Sequence, residues 1–465
     1  MNGRTILAVD TLGDALVARI VRAPFPVGAT ALCPLTLRVA QFTGPDAIVD
    51  TRGRGKAVRD ALRQHPSLSG ILDELRRVMP HQVSPLLVQL GLSDAELVHW
   101  ETLCDIDDTF VALDPRWPIA RIVDPVNAPQ RPPCELTTPV RLMAVISALG
   151  IRDQQREWQL LRDAVVTARA DGLPVLLKVL VGDPALYGVI AGEKAAGLAQ
   201  LELGAIEDTP ARLTQAIRAW SPNVLHVFCH GHADTAGQAL ELATANDHVQ
   251  HAAGDPHTVA GSVRVPAPSL ARLGESLGNP WLLVLNCCSS GQAATGLQSM
   301  ASQVVSTGFP AVVAMVEPVD AHDAYEFTRA FYPAALAALR QAQAALAGAT
   351  STTLEWTPVL SHARAAIAQR PDRDDASPEW ALPVLYVRGL DAQVFIRPLA
   401  AGTAEPAADT GTHRHRVQAE TFAAWLRTAG QQMPPDDRHA VMTIALADVP
   451  TELWPDIDGN FEHGR

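Results

Sequence analysis

Two apolar stretches, each ending in a polar turn, indicate both the fold and the chemistry of this chain. Residues Val224–His232 read VLHVFCHGH, and residues Trp281–Gly291 read WLLVLNCCSSG. The apolar runs within them, Val224–Phe228 and Leu282–Leu285, are typical of strands that are buried on both faces of a sheet. Ligands bind beyond the carboxyl ends of strands in an open parallel sheet. If the two strands are neighbours, their turns open into one crevice, where a thiol meets an imidazole.

Apolar strands and amphipathic helices alternate around these two stretches. Further strands are predicted at Leu142–Ile146, Val175–Val181, Ala311–Val316, Val384–Arg388 and Val394–Arg397, and helices at Gln154–Ala170, Thr209–Ala219 and Ala321–Leu346. The alternation predicts an α/β fold with a mainly parallel sheet and helices on both of its faces.

The pattern divides the 465 residues into three predicted regions. Residues 1–94 carry short β-rich runs, such as Leu35–Gln41, and turn residues; a helical stretch follows at Asp94–Glu101. Residues 95–398 form the α/β domain. Residues 399–465 are a predicted linker and a short helical tail, with helices at Val417–Gln431 and Asp436–Leu446.

Composition narrows the class of protein. Hydrophobic residues make up 48% and charged residues 19% of the chain, which is a globular balance. The formal net charge of −13 disfavours a nucleic-acid partner. No apolar run approaches the roughly 18 residues that span a bilayer, and the first residues do not resemble a signal peptide. We therefore expect a cytoplasmic protein without a membrane partner, in which the six cysteines stay reduced.

The residue types in the two turns favour nucleophilic catalysis by a thiol. A cysteine with a pKa near 8.5 is little ionised at neutral pH, so a histidine in hydrogen-bond reach is needed to take its proton. His230 is the candidate for the general base, and the nucleophile is one of the adjacent Cys287 and Cys288. The backbone N–H groups of Gly231 and Cys288 are the candidates for an oxyanion hole. No metal and no cofactor are expected.

Other interpretations of these residues remain open on the sequence alone. A buried cysteine is often only a small apolar side chain. His226 lies within an apolar run and reads as a core or wall histidine, and His232 as a solvated or cleft-lining one. A zinc site that also includes Cys229 is possible in principle, although adjacent cysteines fit tetrahedral zinc poorly.

Together the two motifs resemble the CHAT family, peptidases of the caspase and separase clan. His226–Gly231 matches the family's strand end His-x-x-Gly/Cys-His-Gly. Asn286–Gly291 matches Ser-Ala-Cys-x-Thr/Ser-Gly, with Asn and Cys in place of Ser and Ala. The resemblance extends over about residues 95–398, and it includes the stretch Gly308–Met315.

The register of this resemblance assigns the catalytic pair. It implies that His230 is the catalytic histidine and that Cys288, three residues before the glycine, is the nucleophile. Cys287 then belongs to the strand end and points the opposite way. The spacing of 58 residues (288 − 230) is compatible with the spacing of about 50 in caspases. The family also implies that a backbone carbonyl orients the histidine, and that residues 1–94 complete a degenerate partner domain.

The resemblance further implies a substrate and a setting. It suggests an endopeptidase that cuts after a basic residue held by a carboxylate, with Glu317, Asp320 and Asp234 as candidates; these acids can also be read as solvated loop residues. Bacterial relatives suggest antiviral defence or cell death, with a gasdermin-like or other dedicated protein substrate and an activating partner. The alternatives are a catalytically silent scaffold or sensor, and a cysteine amidase that acts on small molecules.

Overall fold

The computed structural model divides into two compact units, Met1–Pro398 and Leu399–Arg465. In the first unit it describes residues 3–12, 15–25, 32–43, 47–75, 77, 79, 82–90, 94–123, 133–151, 153–234, 237–253, 261–287, 294–317, 319–370, 377–389 and 393–397. In the second unit it describes single residues and short stretches between residues 419 and 458.

Strands and helices alternate along the first unit. The strands are β1 Thr5–Leu12, β2 Ala15–Arg22, β3 Cys33–Pro34, β4 Leu86–Leu90, β5 Ile119–Val123, β6 Cys134–Glu135, β7 Val140–Ser147, β8 Val175–Val181, β9 Leu201–Ala205, β10 Val224–Asp234, β11 Gly237–Leu242, β12 Val263–Pro266, β13 Leu282–Leu285, β14 Ala311–Met315, β15 Ser351–Leu354, β16 Pro383–Arg388 and β17 Gln393–Ile396. The α-helices are α1 Thr51–Arg63, α2 Pro66–Leu75, α3 Gln154–Ala170, α4 Pro184–Ala195, α5 Pro210–Trp220, α6 Ala245–Ala252, α7 Ala267–Ser276, α8 Ala294–Thr307, α9 Ala321–Ala347 and α10 Trp356–Ala368. Short 3-10 helices lie at Val39–Gln41, Asp94–Leu97, Trp100–Thr102, Val111–Leu113 and Glu379–Ala381.

Within the described residues, fourteen strands form one sheet. Twelve follow the order β3-β2-β1-β4-β5-β16-β14-β13-β10-β7-β8-β9, and β11 and β12 extend antiparallel from β10. The strands β14, β13, β10, β7, β8 and β9 are all parallel. The strands β1, β4, β5 and β16 form a second parallel block, which joins the first through the antiparallel pair β14–β16. The predicted α/β fold with a mainly parallel sheet is confirmed.

Helices cover both faces of the larger parallel block because its strands are apolar on both faces. In β7, Leu142, Ala144 and Ile146 pack in the core formed with α3 and α9. The alternate residues Met143 and Val145 pack in the core formed with α5, α7 and α8. The period of two along β7 therefore directs alternate apolar side chains into two different cores.

Several predicted elements differ in detail. The alternation in Leu35–Gln41 predicts a strand, and Leu35 and Leu37 are indeed buried. However, the strand β3 is only Cys33–Pro34. The backbone N–H of Leu35 still donates to the carbonyl oxygen of Leu16 on β2, and the segment then ends in the 3-10 helix Val39–Gln41. The predicted helix Asp94–Glu101 is two 3-10 helices. The strand predicted at Val394–Arg397 is β17, which pairs with β15 and β6 in a separate three-stranded sheet.

The first 94 residues share the main sheet. β4 pairs in parallel with β5 over five residues, so hydrogen bonding continues across the boundary predicted at residue 94. In the second unit, Ala419, Ala423 and Leu426 are buried at helical spacing, and Ala419 and Leu426 form a small core with Met442 and Leu446. Among the described residues, no helix is long and apolar enough to cross a membrane.

A buried ion pair joins β5 to the segment before it. Arg121 donates to both carboxylate oxygens of Glu101, at 2.9 and 2.7 Å, and each side chain is 1% exposed. Burial alone would raise the pKa of Glu101, but Arg121 lowers it below its ordinary value. The guanidinium also donates to the carbonyl oxygens of Glu96 and Val98.

We expect Arg121→Met to lower the free energy of unfolding by about 3–5 kcal/mol, because it leaves the buried Glu101 carboxylate without the guanidinium that is hydrogen-bonded to it. Urea denaturation measures the difference. The control is Arg340→Ala, whose ion pair with Asp171 is about half exposed, and which should change stability by about 1 kcal/mol or less. Equal effects of the two variants would contradict the assignment of Arg121 as a buried structural cation.

Candidate active site

His230 lies where β10 leaves the centre of the sheet. β10 runs parallel between β7 and β13, and beyond this pairing it continues into a hairpin with β11, in which His230 is opposite Glu241. The imidazole Nε2 lies 2.6 Å from the carbonyl oxygen of Leu149, in the turn that follows β7. The side chain is half-buried. This contact agrees with the expectation that a backbone carbonyl orients the histidine.

This contact assigns the protons of the ring. A carbonyl oxygen can only accept a hydrogen bond, so Nε2 must carry the hydrogen. In the neutral imidazole, Nδ1 is then the nitrogen that accepts a proton. The turn after β7 therefore favours the tautomer of the neutral His230 ring that carries its hydrogen on Nε2.

Cys287 lies on the opposite face of the sheet from the residue before it. Its side chain is fully buried in the core formed with α5, α7 and α8. Its Sγ is 3.7 Å from the Sγ of Cys229, the residue before His230. Asn286 is also fully buried, but its side chain contacts α3 and α9 on the other face. The predicted nucleophile Cys288 lies outside the described residues.

The other oxyanion candidate and one of the three carboxylates lie on β10. Gly231 is buried and stands opposite Leu240 of β11. Asp234 is the last residue of β10, and its backbone pairs with Gly237. Its side chain lies outside the described residues.

The other two predicted carboxylates lie between β14 and α9, and both have partners. Glu317 accepts a hydrogen bond from Arg54 of α1 at 2.8 Å and lies 3.2 Å from His99 Nε2. Burial and the nearby Arg54 cation lower the pKa of His99 to about 4, so this ring is neutral at pH 7. Asp320 is exposed and caps α9 by accepting from the backbone N–H of Asp323 at 2.9 Å.

The fully buried carboxylate of Glu157 forms part of a polar cluster beneath this edge of the sheet. Its Oε1 accepts hydrogen bonds from Asn286 Nδ2 at 3.0 Å and from Thr328 Oγ1 at 2.6 Å, and it lies 3.0 Å from His226 Nε2. The Nδ1 of His226 is 2.8 Å from the hydroxyl of Tyr332. The interpretation of His226 as a core histidine agrees with its full burial, but its partners are polar.

Sequence reasoning missed Glu157, Asn286, Thr328 and Tyr332 as members of a site. A signal was present, because Glu157 lies on the apolar stripe of α3 that contains Leu161, Ala164 and Ala168. A carboxylate on a buried helix face requires partners. Those partners come from elements more than 60 residues away, and helical periodicity alone does not name them.

The described residues do not form a metal site. Among them, no group of three or more His, Cys, Asp or Glu side chains could hold an ion. Cys229 and Cys287 contact each other, whereas His232 Nδ1 is 3.3 Å from Glu241 Oε1.

Comparison with known proteins supports the resemblance seen in the two turns. Residues 156–387 match the family described as the CHAT domain. No curated protein matches the chain. A solved structure of the separase–securin complex from Saccharomyces cerevisiae is 12% identical over 74% of this chain and 19% of that chain, with a TM-score of 0.33. The chain thus spans about a fifth of the length of that protein.

The matched segment runs from α3 to β16 and includes both polar turns. It also includes the strands β10 and β13, the helices that enclose them, and His230. Residues 156–387 of this chain are therefore a CHAT domain.

Proposed function

We propose that this CHAT domain is a cysteine endopeptidase in which Cys288 is the nucleophile and His230 the general base. The observation that carries the proposal is the contact between His230 Nε2 and the Leu149 carbonyl oxygen. It gives the imidazole an acceptor nitrogen at the carboxyl edge of a parallel sheet, where sites in such folds are found.

The pairing of β10 with β13 supports the choice of partner. The register joins Val227 to Leu285, an offset of 58 residues. The same offset separates His230 from Cys288 in the sequence (288 − 230). The residues that precede the proposed pair, Cys229 and Cys287, contact each other through their sulfur atoms. Cys287 itself is buried in the opposite core, which disfavours it as the nucleophile.

The proposed reaction is acyl transfer. His230 Nδ1 takes the thiol proton, and the Cys288 thiolate attacks the peptide carbonyl carbon to form a C–S bond. The N–H groups of Gly231 and Cys288 stabilise the oxyanion. The protonated imidazole then donates its proton to the leaving amine as the C–N bond breaks. Water, deprotonated by the same ring, attacks the thioester and releases the carboxylic acid and the free thiol.

For the substrate we propose a protein that is cut after a basic residue. A carboxylate at the substrate cleft would bind the arginine or lysine side chain through charge-assisted hydrogen bonds. Asp320 is the favoured candidate, because capping α9 uses one of its oxygens and the side chain is exposed. Glu317 already holds Arg54, and Asp234 is the third candidate. A cytoplasmic role in bacterial defence, with a gasdermin-like or other dedicated substrate and an activating partner, completes the proposal.

The catalytic pair is tested by cleavage of a fluorogenic peptide library. We expect Cys288→Ala and His230→Ala to lower kcat/KM by at least about 1000-fold, because each removes a group that the chemical step requires. Cys287→Ala serves as the matched control and should stay within about tenfold of wild type, since it removes one buried atom from the opposite core. Equal activity of all four proteins would refute the assignment. If none of the four proteins cleaves a peptide and a thiol-directed probe does not label Cys288 in wild type, the scaffold or sensor alternative is favoured.

Specificity is tested with peptides that carry Arg or norleucine before the cut. We expect Asp320→Asn to lower kcat/KM for the Arg peptide by about 10- to 100-fold and to leave the norleucine peptide unchanged, because it removes the charge that pairs with arginine. Asparagine caps helices as well as aspartate does, so α9 is preserved. Glu317→Gln and Asp234→Asn test the other candidates. An unchanged preference for Arg in all three variants would exclude these carboxylates.

A further inference from the structure

One buried carboxylate oxygen of the CHAT domain is contacted by side chains from three other parts of the fold. Glu157 Oε1, on α3, lies 3.0 Å from His226 of β10, 3.0 Å from Asn286 after β13 and 2.6 Å from Thr328 of α9. All four side chains are fully buried. The cluster therefore ties both central strands to the two helices that cover this face of the sheet.

A stability argument alone does not explain this cluster. A carboxylate loses its hydration when it is buried, and well-packed apolar residues are often at least as stable in its place. The cluster is also incompletely satisfied. Among the residues that the structure describes, Glu157 Oε2 and Asn286 Oδ1 have no hydrogen-bond partner, and the N–H on His226 Nε2 is near the carboxylate without being aligned on it. In some proteins, buried polar groups that lower stability are kept for the geometry that they fix.

The protons in the cluster can be assigned from its geometry. Burial and the nearby Glu157 raise the pKa of Tyr332 well above its ordinary value, so the phenol keeps its hydrogen. Its hydroxyl can therefore donate to His226 Nδ1, 2.8 Å away, which leaves the ring hydrogen on Nε2, beside Glu157. The hydroxyl of Thr328 donates to Glu157 and accepts from Asn286. The carboxylate is thus the acceptor on which the donors converge.

Asn286 connects the cluster to the strand end. Its Nδ2 lies 3.0 Å from each of three acceptors, Glu157 Oε1, Thr328 Oγ1 and the carbonyl oxygen of Ala324. Its backbone N–H donates to the carbonyl oxygen of Val227 on β10 at 3.0 Å. The residue is therefore held by its side chain to α3 and α9 and by its backbone to the neighbouring strand. In the sequence it lies two positions before Cys288.

We propose that Glu157 and Asn286 are positioning residues for the nucleophile. Glu157, itself contacted by His226 and Thr328, holds the Asn286 amide, and Asn286 sets the height and direction at which the chain leaves β13 towards Cys288. His226 lies four residues before His230 on the same strand, so the cluster also fixes the strand that carries the base. The proposal rests on the proposed function for the role of Cys288.

The test replaces the amide of Asn286 by a carboxyl group of the same shape. In Asn286→Asp, an ionised side chain faces the Glu157 carboxylate and the Ala324 carbonyl oxygen, so it can replace the lost N–H donor only when protonated. The titratable groups around it are Glu157 of α3 and, next to Glu157, His226 of β10; Tyr332 of α9 contacts His226. The readout is the rate of alkylation of Cys288 by iodoacetamide, measured by peptide mass spectrometry between pH 5.5 and about 8.5.

We expect Cys288 of Asn286→Asp to be alkylated about tenfold more slowly than Cys288 of wild type near pH 7.5. The ratio of the variant rate to the wild-type rate should rise towards one as the pH falls. The double variant Glu157→Gln/Asn286→Asp exchanges amide and carboxylate, so that the new amide on α3 donates to the new carboxylate after β13. It should restore the ratio to within about threefold at every pH. A merely structural role predicts no such recovery and no dependence of the ratio on pH.

Asn223→Asp is the matched control. Asn223 is buried just before the first residue of β10, and its Nδ2 also donates to a backbone carbonyl, that of Asn279. It should leave the pH profile of Cys288 alkylation unchanged. If Asn286→Asp does not fold, Tyr332→Phe replaces it, since it removes only the hydroxyl beside His226. That variant should slow the alkylation of Cys288 by about threefold. Its unfolding midpoint should be no lower than that of Asn223→Asp, so that a loss of stability does not explain the slower reaction.

The outcomes separate the two proposals. In one outcome, His230→Ala slows the alkylation of Cys288, but Asn286→Asp keeps the wild-type pH profile or the double variant does not restore the alkylation rate. The positioning role is then overturned, and the catalytic pair stands. If His230→Ala has no effect but Asn286→Asp shows the pH-dependent loss and the double variant restores it, the positioning of Cys288 stands and the catalytic pair is overturned.

Discussion

The parallel pairing of β10 with β7 and β13 is the constraint on which the rest of the structure depends. It leaves both faces of these strands buried, so helices must cover each side. It also brings the strands' carboxyl ends to one edge, where the turn after β7 supplies the carbonyl oxygen that holds His230. Alternation along the strands then separates Cys229 and Cys287 on one face from His226 and Asn286 on the other.

The two faces of this sheet differ in chemistry as well as in their helices. The face towards α5, α7 and α8 is apolar near the strand ends, and Cys229 and Cys287 behave there as small core side chains. The face towards α3 and α9 contains a carboxylate, an imidazole, an amide and two hydroxyl groups within hydrogen-bond distance of one another. A polar cluster of this kind is specific in geometry, since each donor needs its acceptor, and it is unfavourable when a partner is lost.

The N-terminal residues are part of the same architecture. β16 follows the CHAT helices in the sequence but lies between β5 and β14, so it joins the two parallel blocks into one sheet. A charged contact also links the N-terminal residues to the region around β14. Arg54 of α1 pairs with Glu317, two residues after the end of β14. The carboxyl edge of β14 is thereby bounded by residues from the first quarter of the chain.

The sequence alone determined the α/β class, and it determined the strands β8 and β13 and the helix α3 to the residue, because period-two and helical patterns are local properties of the chain. It placed His230 just after an apolar strand, whereas β10 continues through His230 into the hairpin with β11. It could not determine that Asp94–Glu101 forms 3-10 turns, that β17 leaves the main sheet, or that Glu317 is paired with Arg54. Nor could it assemble Glu157, His226, Asn286 and Tyr332 into one cluster. Those facts depend on contacts between residues far apart in the sequence, which only the packing of helices onto the sheet decides.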